Sequence, residues 1–433
     1  MVFNLFLHNK NPAGMISALS AKSSTNYNFA FISCCPEAWG GSEELWSKAA
    51  TCLQKQGFRV KVFKTYVEPS HDRIVELSQA GIAVNDIYSL GLPRLLRPES
   101  QLNLKISAQI PGGISLVLKA LDRFNLFINK VYRSLRIRDY LSMVFLGRSL
   151  AAFKPDLVVI SQGENFDGLI YMCLCQSLRL KYVILSQKAA DHYWPSDEIR
   201  PLLQEGYQKA QAAFFVSRHN QQLTEAQLGQ RLLHAEVVRN PHQATLVEPL
   251  TWPDENNYYQ LACVARFWLM DKGQDILLNV LTQPKWRERN LKVDFFGRGS
   301  NYDALVKMAE LLQLSNVSFP GFSKNIIELW QGYHALILPS RAEGLPLALV
   351  EAMMCGRPAI ATDVGGIPEV IEDNVTGFIS KGACCAALDE AMERAWQRRH
   401  EWEAIGKTAA TSIRQLVPPY PEKTFAEKLL KVI

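Results

Sequence analysis

Residues 335–366 read ALILPSRAEGLPLALVEAMMCGRPAIATDVGG. The apolar run 335–338 predicts a buried strand, and the run 359–362 predicts a second one, because neither shows the strict alternation of a half-exposed strand. Pro346 between them is well placed as the first residue of a helix. A strand, a helix and a second strand in this order are typical of a parallel sheet covered by helices.

The same alternation of apolar runs and helical patterns extends over most of the 433 residues. Helices are predicted over 42–56, 168–178 and 218–228. Further strands are predicted at 29–34, 59–63, 156–161, 182–186, 213–217, 236–239, 261–265, 293–296 and 317–319. We therefore expect an α/β fold of two facing Rossmann-like, doubly wound domains, with ligands bound in the cleft between them.

A Pro- and Asn-rich stretch at 241–257 interrupts this rhythm and predicts a linker. The expected organisation has four parts. They are an N-terminal extension (1–27), a first Rossmann-like domain (28–245), a second Rossmann-like domain (258–415) and a C-terminal tail (416–433). For the tail, a helix that returns to the first domain is one interpretation.

The composition excludes several classes of protein. Hydrophobic residues make up 48% and charged residues 21% of the chain, which argues against wholesale disorder. No uncharged apolar window of roughly 18 residues predicts a transmembrane helix, and the apolar run at the N-terminus is too short for a signal-peptide core. The nine cysteines include no CxxC pair, which argues against a disulfide framework and a zinc ribbon. We therefore expect a protein of the reducing cytoplasm.

Glu343 and Gly344 follow the predicted strand at 335–338 and precede Pro346. Glycine permits close backbone approach, and the amides at the start of a helix favour an anion such as phosphate. Glu351 lies eight residues after Glu343. That spacing is roughly 12 Å along a helix, whereas paired glycosidase carboxylates lie about 5–10 Å apart. It suits two acceptors that bind hydroxyls at opposite ends of an elongated ligand.

The motif continues as RAEGLPLALVEAMMCGRPAIATDVGGIPEVIEDNVTGF over residues 341–378. This stretch closely resembles the donor-binding signature of the retaining glycosyltransferases of family 4 (glycosyl transferases group 1), which adopt the two-domain GT-B fold. The resemblance is dense over 261–378 and weaker but ordered over 29–240. It implies that Glu343 lies at the transferred sugar and that Glu351 binds the ribose of the nucleotide. It also implies donor binding by Gly344, Leu345 and Pro346.

Two cations lie in the segment LACVARFWLMDKGQD at 261–275. Arg266 ends a predicted strand and Lys272 precedes a predicted helix, so both converge where the charge of a leaving nucleoside diphosphate would develop. The pair resembles the family's Arg and Lys that hold the donor diphosphate, although Ala265 stands where the family has Gly. The predicted catalytic residues are therefore Glu343, Arg266 and Lys272.

Gly40 and Gly41 follow the first predicted strand, and Ser42 suits the N-cap of the helix after them. The diglycine matches the family's first glycine loop, which implies donor binding. A plain tight turn is the alternative interpretation.

The first domain departs from the family near the sugar, where many relatives carry a histidine after a strand. The corresponding stretch here is VILSQKAADHYWP at 183–195, with Gln187 at that place and His192 five residues later. Both are candidates for contact with sugar or acceptor, and a loop or core role is the alternative for His192. Gln162 and Glu164, just after the strand predicted at 156–161, are further candidates.

The net charge of +5 is concentrated in one segment. Residues 91–154 contain 11 Lys or Arg and 3 Asp or Glu, a local charge of +8 that leaves −3 for the rest of the chain. Within it, 114–138 shows helical periodicity of apolar residues with basic residues interspersed. Three interpretations remain open: a helix lying peripherally on an anionic membrane, a helix packed on the sheet, and recognition of an acidic acceptor. No nucleic-acid partner is expected.

No Asp-x-Asp and no cluster of His, Cys or Asp with ligand spacing occurs, so neither a metal nor another cofactor is expected. We expect a cytoplasmic, hexosyltransferase-like enzyme that moves a sugar, with retention, from a nucleotide diphosphate sugar to a glycan, lipid-linked or small-molecule acceptor. The alternatives are a nucleotide-sugar epimerase or hydrolase on the same fold and a non-catalytic sugar-nucleotide-binding subunit. A nicotinamide dehydrogenase is disfavoured, because no G-x-G-x-x-G follows the first strand.

Overall fold

The computed structural model describes residues 27–89, 137–244, 248–253 and 258–433. The described residues divide into two compact units. The first comprises those within 1–185, 205–212 and 426–433, and the second comprises those within 186–204 and 213–425. Most of the predicted N-terminal extension (1–27) and nearly all of the basic stretch at 114–138 lie outside the described residues. The predicted domain boundaries stay predictions.

The first unit contains a parallel arrangement of strands. Its strands are β1 (Asn28–Ser33), β2 (Arg59–Lys64), β3 (Ala83–Asp86), β4 (Leu157–Gln162) and β5 (Tyr182–Ser186). They lie in the order β3-β2-β1-β4-β5, and β1 pairs in parallel with both β2 and β4. Every residue of β1 and β4 is buried, which explains why apolar residues run without alternation from Phe29 to Ile32 and from Leu157 to Ile160. The strand order reverses between β1 and β4, the position at which open α/β sheets bind ligands.

Helices cover this sheet because their apolar residues recur with helical spacing. In α1 (Glu44–Lys55), the buried apolar residues are Leu45, Trp46, Ala49, Ala50 and Leu53, which form one face. Among the described residues up to 228, the other α-helices are α2 (Asp72–Gln79), α3 (Ile137–Phe153), α4 (Leu169–Ser177), α5 (Arg200–Lys209) and α6 (Arg218–Leu228).

The second unit contains a sheet of six strands. In addition to β6 (Ala213–Phe215) and β7 (Ala235–Val237), which pair in parallel, the unit has β8 (Tyr259–Val264), β9 (Leu291–Phe296), β10 (Val317–Gly321), β11 (Ala335–Leu338), β12 (Ala359–Thr362) and β13 (Phe378–Ser380). The six-stranded sheet has the order β10-β9-β8-β11-β12-β13, and all its neighbouring strands are parallel. Its strand order reverses between β8 and β11.

Both faces of this sheet are covered. Ala335 and Ile337 belong to one apolar core, whereas Leu336 and Leu338 belong to another, because successive side chains of a strand point to opposite faces. The helices that follow β8 along the chain are α7 (Leu269–Lys272), α8 (Gln274–Val280), α9 (Pro284–Glu288), α10 (Tyr302–Leu311), α11 (Ile326–Gln331), α12 (Leu347–Met354), α13 (Cys385–Gln397), α14 (Trp402–Leu416) and α15 (Pro421–Val432).

The predicted strands are confirmed to within a few residues, whereas β3 and β13 were not predicted. Both are short, and β3 reads AVND, so neither carries an apolar run. Two predicted helix starts are wrong by a small shift. Pro346 is the N-cap and α12 begins at Leu347, and a 3₁₀ turn at Gly41–Glu43 with Gly40 as N-cap precedes α1, so Ser42 is not a cap. Gly40, with extended backbone dihedral angles, is the N-cap of that turn, two residues before the expected N-cap Ser42.

The nine cysteines all lie in described residues, and none is in a disulfide. Within the described ranges, no helix combines the length and apolarity needed to span a bilayer.

Candidate active site

The loops after β8 and β11 meet at the reversal of strand order in the second unit. The loop after β8 carries Arg266 and leads into α7, and the loop after β11 carries Glu343 and leads into α12. Parallel strands end at the same edge of their sheet, so these loops share one side of it. Two predicted catalytic residues, Arg266 and Glu343, therefore lie on adjacent loops, and the third, Lys272, ends α7 directly after the first loop.

Lys272 and Glu343 form a close ion pair at this edge. The ammonium nitrogen of Lys272 lies 2.7 Å from each carboxylate oxygen of Glu343. The hydroxyl of Ser340 donates to Glu343 Oε1 at 2.8 Å, and the carbonyl of Ser340 accepts from Thr362 Oγ1 at 2.6 Å. Glu343 is buried, so charge-assisted bonds of this kind hold its carboxylate in one orientation.

The loop before Glu343 is clamped to α7 and α8. The carbonyl of Asp271 accepts from the backbone N–H groups of Arg341, at 2.6 Å, and Ala342, at 3.1 Å. The guanidinium of Arg341 donates to both carboxylate oxygens of Asp275, at 2.7 and 2.8 Å, and to the carbonyl of Leu269 at 2.7 Å. Glu343 is therefore presented by backbone that several independent bonds fix in place.

Three glycines allow the backbones around Glu343 to pack closely. Gly365 has φ +57°, and a Cβ there would lie 2.2 Å from the carbonyl oxygen of Glu343. The N–H of Gly366 donates to the carbonyl of Gly344 at 2.6 Å. A Cβ on Gly344 would lie 2.0 Å from the carbonyl oxygen of Gln187. The TDVGG segment thus supports the Glu343 loop through contacts that larger residues would prevent.

The other residues of the E-x7-E motif either pack in the apolar core or form hydrogen bonds. Leu345 is buried in the apolar core, and Pro346 caps α12 without a side-chain hydrogen bond. Glu351 is buried on α12, and its Oε1 accepts from the backbone N–H of Gln243 at 2.9 Å. The two glutamates of the motif therefore have different partners, Lys272 for one and Gln243 for the other.

Arg266 has an exposed side chain just beyond β8. Its carbonyl accepts from Gln274 Nε2 at 2.9 Å and from the N–H of Trp268 at 2.9 Å. These bonds hold the backbone of the loop.

Gln187 and His192 occupy different environments in the second unit. Gln187 is buried, its side-chain oxygen accepts from Asn240 Nδ2 at 2.8 Å, and its carbonyl lies against Gly344. His192 lies on an exposed turn. Of the two candidates, Gln187 is the one that contacts the loop carrying Glu343.

The remaining predicted residues belong to the first unit. Gly40 and Gly41 precede α1, on the loop after β1. Gln162 is fully buried, and its Oε1 accepts from the hydroxyl of Tyr207 at 3.0 Å. Glu164 is half-buried, and its backbone N–H donates to Asp167 Oδ2 at 3.1 Å.

Asp167 was not predicted from the sequence. Its carboxylate also accepts from the N–H of Gly163 at 3.0 Å and lies beside the thiol of Cys34. Surrounding protein desolvates the carboxyl and raises the pKa of Asp167 to about 7. The residue as a whole is exposed, whereas its carboxyl group is enclosed by protein.

Several residues that hold the Glu343 loop were likewise not predicted from the sequence. Ser340 stands three residues before Glu343 at the end of a strand, a position that could have drawn attention to it. The pairing of Arg341 with Asp275 spans 66 residues and has no local pattern.

A family match covers the part of the chain that carries this ion pair. The sequence profile of the family described as "Glycosyl transferases group 1" matches residues 251–411, which include Arg266, Lys272, Glu343 and Glu351. Residues 251–411 therefore belong to the glycosyl transferases group 1 family. The resemblance stated from the sequence is confirmed.

Parts of the chain are also similar to named enzymes of other organisms. The chain is 34% identical over 108 residues to N-acetyl-alpha-D-glucosaminyl L-malate synthase of Bacillus anthracis, covering 24% of the chain and 28% of that relative. It is 30% identical over 155 residues to D-inositol 3-phosphate glycosyltransferase of Frankia alni, covering 32% of the chain and 38% of that relative. The matched segments thus span about one third of these relatives' own length.

The similarity in fold extends over nearly the whole chain. The crystal structure of Anabaena Alr3699/HepE in complex with UDP-glucose matches with a TM-score of 0.66 at 18% identity, covering 94% of this chain and 100% of that one. The predicted fold class, α/β with two Rossmann-like parallel sheets, is confirmed.

Proposed function

We propose that the protein is a retaining glycosyltransferase that transfers a sugar from a nucleoside diphosphate sugar. The observation that carries the proposal is the Lys272–Glu343 pair, buttressed by Ser340, at the reversal of strand order in a group 1 glycosyltransferase segment. A carboxylate and an ammonium held at 2.7 Å are suited to opposite charges that separate during glycosyl transfer.

In the proposed reaction the bond between the anomeric carbon and the diphosphate oxygen breaks, and its electron pair leaves with the diphosphate. Lys272 and Arg266 stabilise that growing negative charge, together with the amides at the start of α12. The acceptor hydroxyl attacks from the same face, which retains the configuration, and its proton passes to the leaving phosphate oxygen. No protein nucleophile is needed.

Glu343 has the complementary task. Positive charge grows on the sugar ring as the leaving group departs, and a fixed carboxylate stabilises it more in the transition state than in the ground state. Glu351, on the other side of the motif, binds the ribose through charge-assisted hydrogen bonds. Because Gly344 and the two glycines of TDVGG carry no side chains, the donor can approach the backbone closely.

The crystallised complexes of Alr3699/HepE with UDP and with UDP-glucose favour a uridine nucleotide as the first donor to test. The acceptor is a glycan, a lipid-linked saccharide or a small molecule. We place the enzyme in the cytoplasm, with peripheral membrane association through residues 91–154 as the corollary to test.

The test is product analysis. The protein is incubated with UDP-, GDP-, ADP- and dTDP-sugars, with and without a mixture of simple sugar and lipid acceptors, and the products are identified by mass spectrometry. Acceptor-dependent release of nucleoside diphosphate with a glycosylated product supports the proposal. An epimerised donor, or free sugar formed equally without acceptor, assigns the protein to the epimerases or hydrolases. No turnover of any donor, despite nucleotide binding, indicates a non-catalytic binder.

A further inference from the structure

The residues that follow β5 pack directly on the loops of the candidate active site, and no role follows for them from the group 1 motif. The carbonyl of Gln187 lies where a Cβ on Gly344 would be only 2.0 Å away. The next residue, Lys188, places its ammonium 2.7 Å from Asp271 Oδ2. Asp271 directly precedes Lys272 in the chain. Lys188 therefore pairs with the residue directly before the cation that binds Glu343.

Without a nearby cation, the charged carboxylate of Asp271 would destabilise the folded protein at this nearly buried position. Its side chain is 9% exposed and that of Lys188 is 16% exposed, so water screens neither charge well. The neighbouring carboxylates have their own cations, since Lys272 holds Glu343 and Arg341 holds Asp275. Each of the three carboxylates is thus paired with one cation, and a bound donor would add further negative charge.

We propose that Lys188 is a positioning residue for the donor, acting through Asp271. Lys188 neutralises the charge of Asp271, so Lys272 can interact with Glu343 and with the diphosphate of the donor. It also holds the short helix α7 in place. The backbone carbonyl of Asp271 in that helix accepts hydrogen bonds from the N–H groups of Arg341 and Ala342, which directly precede Glu343. This inference rests on the proposed function, because it assumes that a diphosphate binds beside Lys272.

The inference predicts opposite effects for the two halves of the pair. Lys188→Met leaves a nearly buried carboxylate that repels the diphosphate and competes for Lys272. Asp271→Asn removes that charge, keeps the backbone carbonyl and leaves an additional cation. A merely structural salt bridge would lose similar stability from either side and give effects of the same sign.

The experiment measures dissociation constants of UDP, GDP and ADP by calorimetry, using the full-length protein without chelator or added metal. For whichever diphosphate binds the parent, Lys188→Met is expected to raise Kd roughly 10- to 100-fold, the range of a lost charged hydrogen bond. Asp271→Asn should bind more tightly than the parent. The double variant, with both charges removed, should recover to within about threefold. Lys188→Arg and, as a matched surface control, Lys307→Met should change little.

Three results would overturn the inference. They are an unchanged Kd for Lys188→Met, a double variant as weak as Lys188→Met, and an Asp271→Asn variant weakened to the same extent. If Lys188→Met fails to fold, judged from its thermal unfolding, the sign of the Asp271→Asn effect still decides. Failure of the parent to bind any nucleoside diphosphate would instead refute the proposed function, and the inference with it.

Discussion

Replacing Glu343 with Gln isolates the charge of the carboxylate at nearly constant shape. In the parent, Glu343 accepts two bonds of 2.7 Å from the Lys272 ammonium and one of 2.8 Å from Ser340. The amide of Gln has only one oxygen acceptor, so at most some of these three hydrogen bonds can form. Its NH₂ group is a donor and cannot accept a hydrogen bond from the Lys272 ammonium. The substitution removes the negative charge that faces the developing positive charge of the sugar.

The magnitude follows from the number of bonds and from burial. Loss of one preorganised electrostatic contact costs roughly 10²- to 10³-fold in kcat, about 3–4 kcal/mol. Because Glu343 is buried and its charge is shielded little by water, we expect the upper part of this range. Binding of the nucleoside diphosphate should stay within a few-fold, since Lys272 is released from Glu343 and still attracts phosphate.

The assay is steady-state transfer with whichever donor the proposed product analysis identifies, alongside calorimetric titration of the matching nucleoside diphosphate. Glu310→Gln on the exposed surface of α10 is the matched control and should retain the parent rate. Turnover by Glu343→Gln at the parent rate would refute the assignment of the catalytic end. Loss of nucleotide binding in parallel with turnover would show that Glu343 holds the nucleotide rather than the reacting sugar.

Four further outcomes are expected. Glu351→Ala should weaken nucleoside diphosphate binding by roughly 1–3 kcal/mol in calorimetry, because a buried charge-assisted acceptor is lost; binding at parental affinity would contradict a ribose contact. Arg266→Ala and Lys272→Ala should each lower the transfer rate while EDTA changes it little, and activity that EDTA abolishes and Mg²⁺ or Mn²⁺ restores would contradict this. Burial lowers the pKa of His334 to about 4 from 6.5, so the folded protein disfavours the protonated ring. The free energy of unfolding should therefore fall by up to about 3 kcal/mol between pH 7 and pH 4, a loss that His334→Gln should reduce in urea titrations. The protein should pellet with anionic but not neutral vesicles, with release as salt rises, and should lose this binding when Gln replaces Lys130, Arg133 and Arg136; equal partitioning to both vesicle types, or to neither, would remove the membrane interpretation.

The parallel sheets could be predicted from the sequence because the signal is local. A strand such as β11 is buried on both faces, so every one of its residues must be apolar, and the run ALIL is visible without any knowledge of its partners. The motif around Glu343 was likewise visible, since a strand end, a glycine and a helix start lie within a few consecutive residues. The short strands β3 and β13 escaped because three or four residues carry no period of their own.

The assembly of the candidate site depends on which distant segments meet. Lys188 and Asp271 are 83 residues apart, and Glu351 accepts from a backbone amide 108 residues away. Nothing in either local sequence specifies these partners, because an ion pair or a hydrogen bond needs only suitable atoms at short range, and many residues could supply them. The chain's local patterns thus identified Glu343, Glu351, Arg266 and Lys272 as candidates. Only the tertiary structure decided that Lys272 grips Glu343, that Gln187 rather than His192 lies against Gly344, and that a second ion pair stands beside the first.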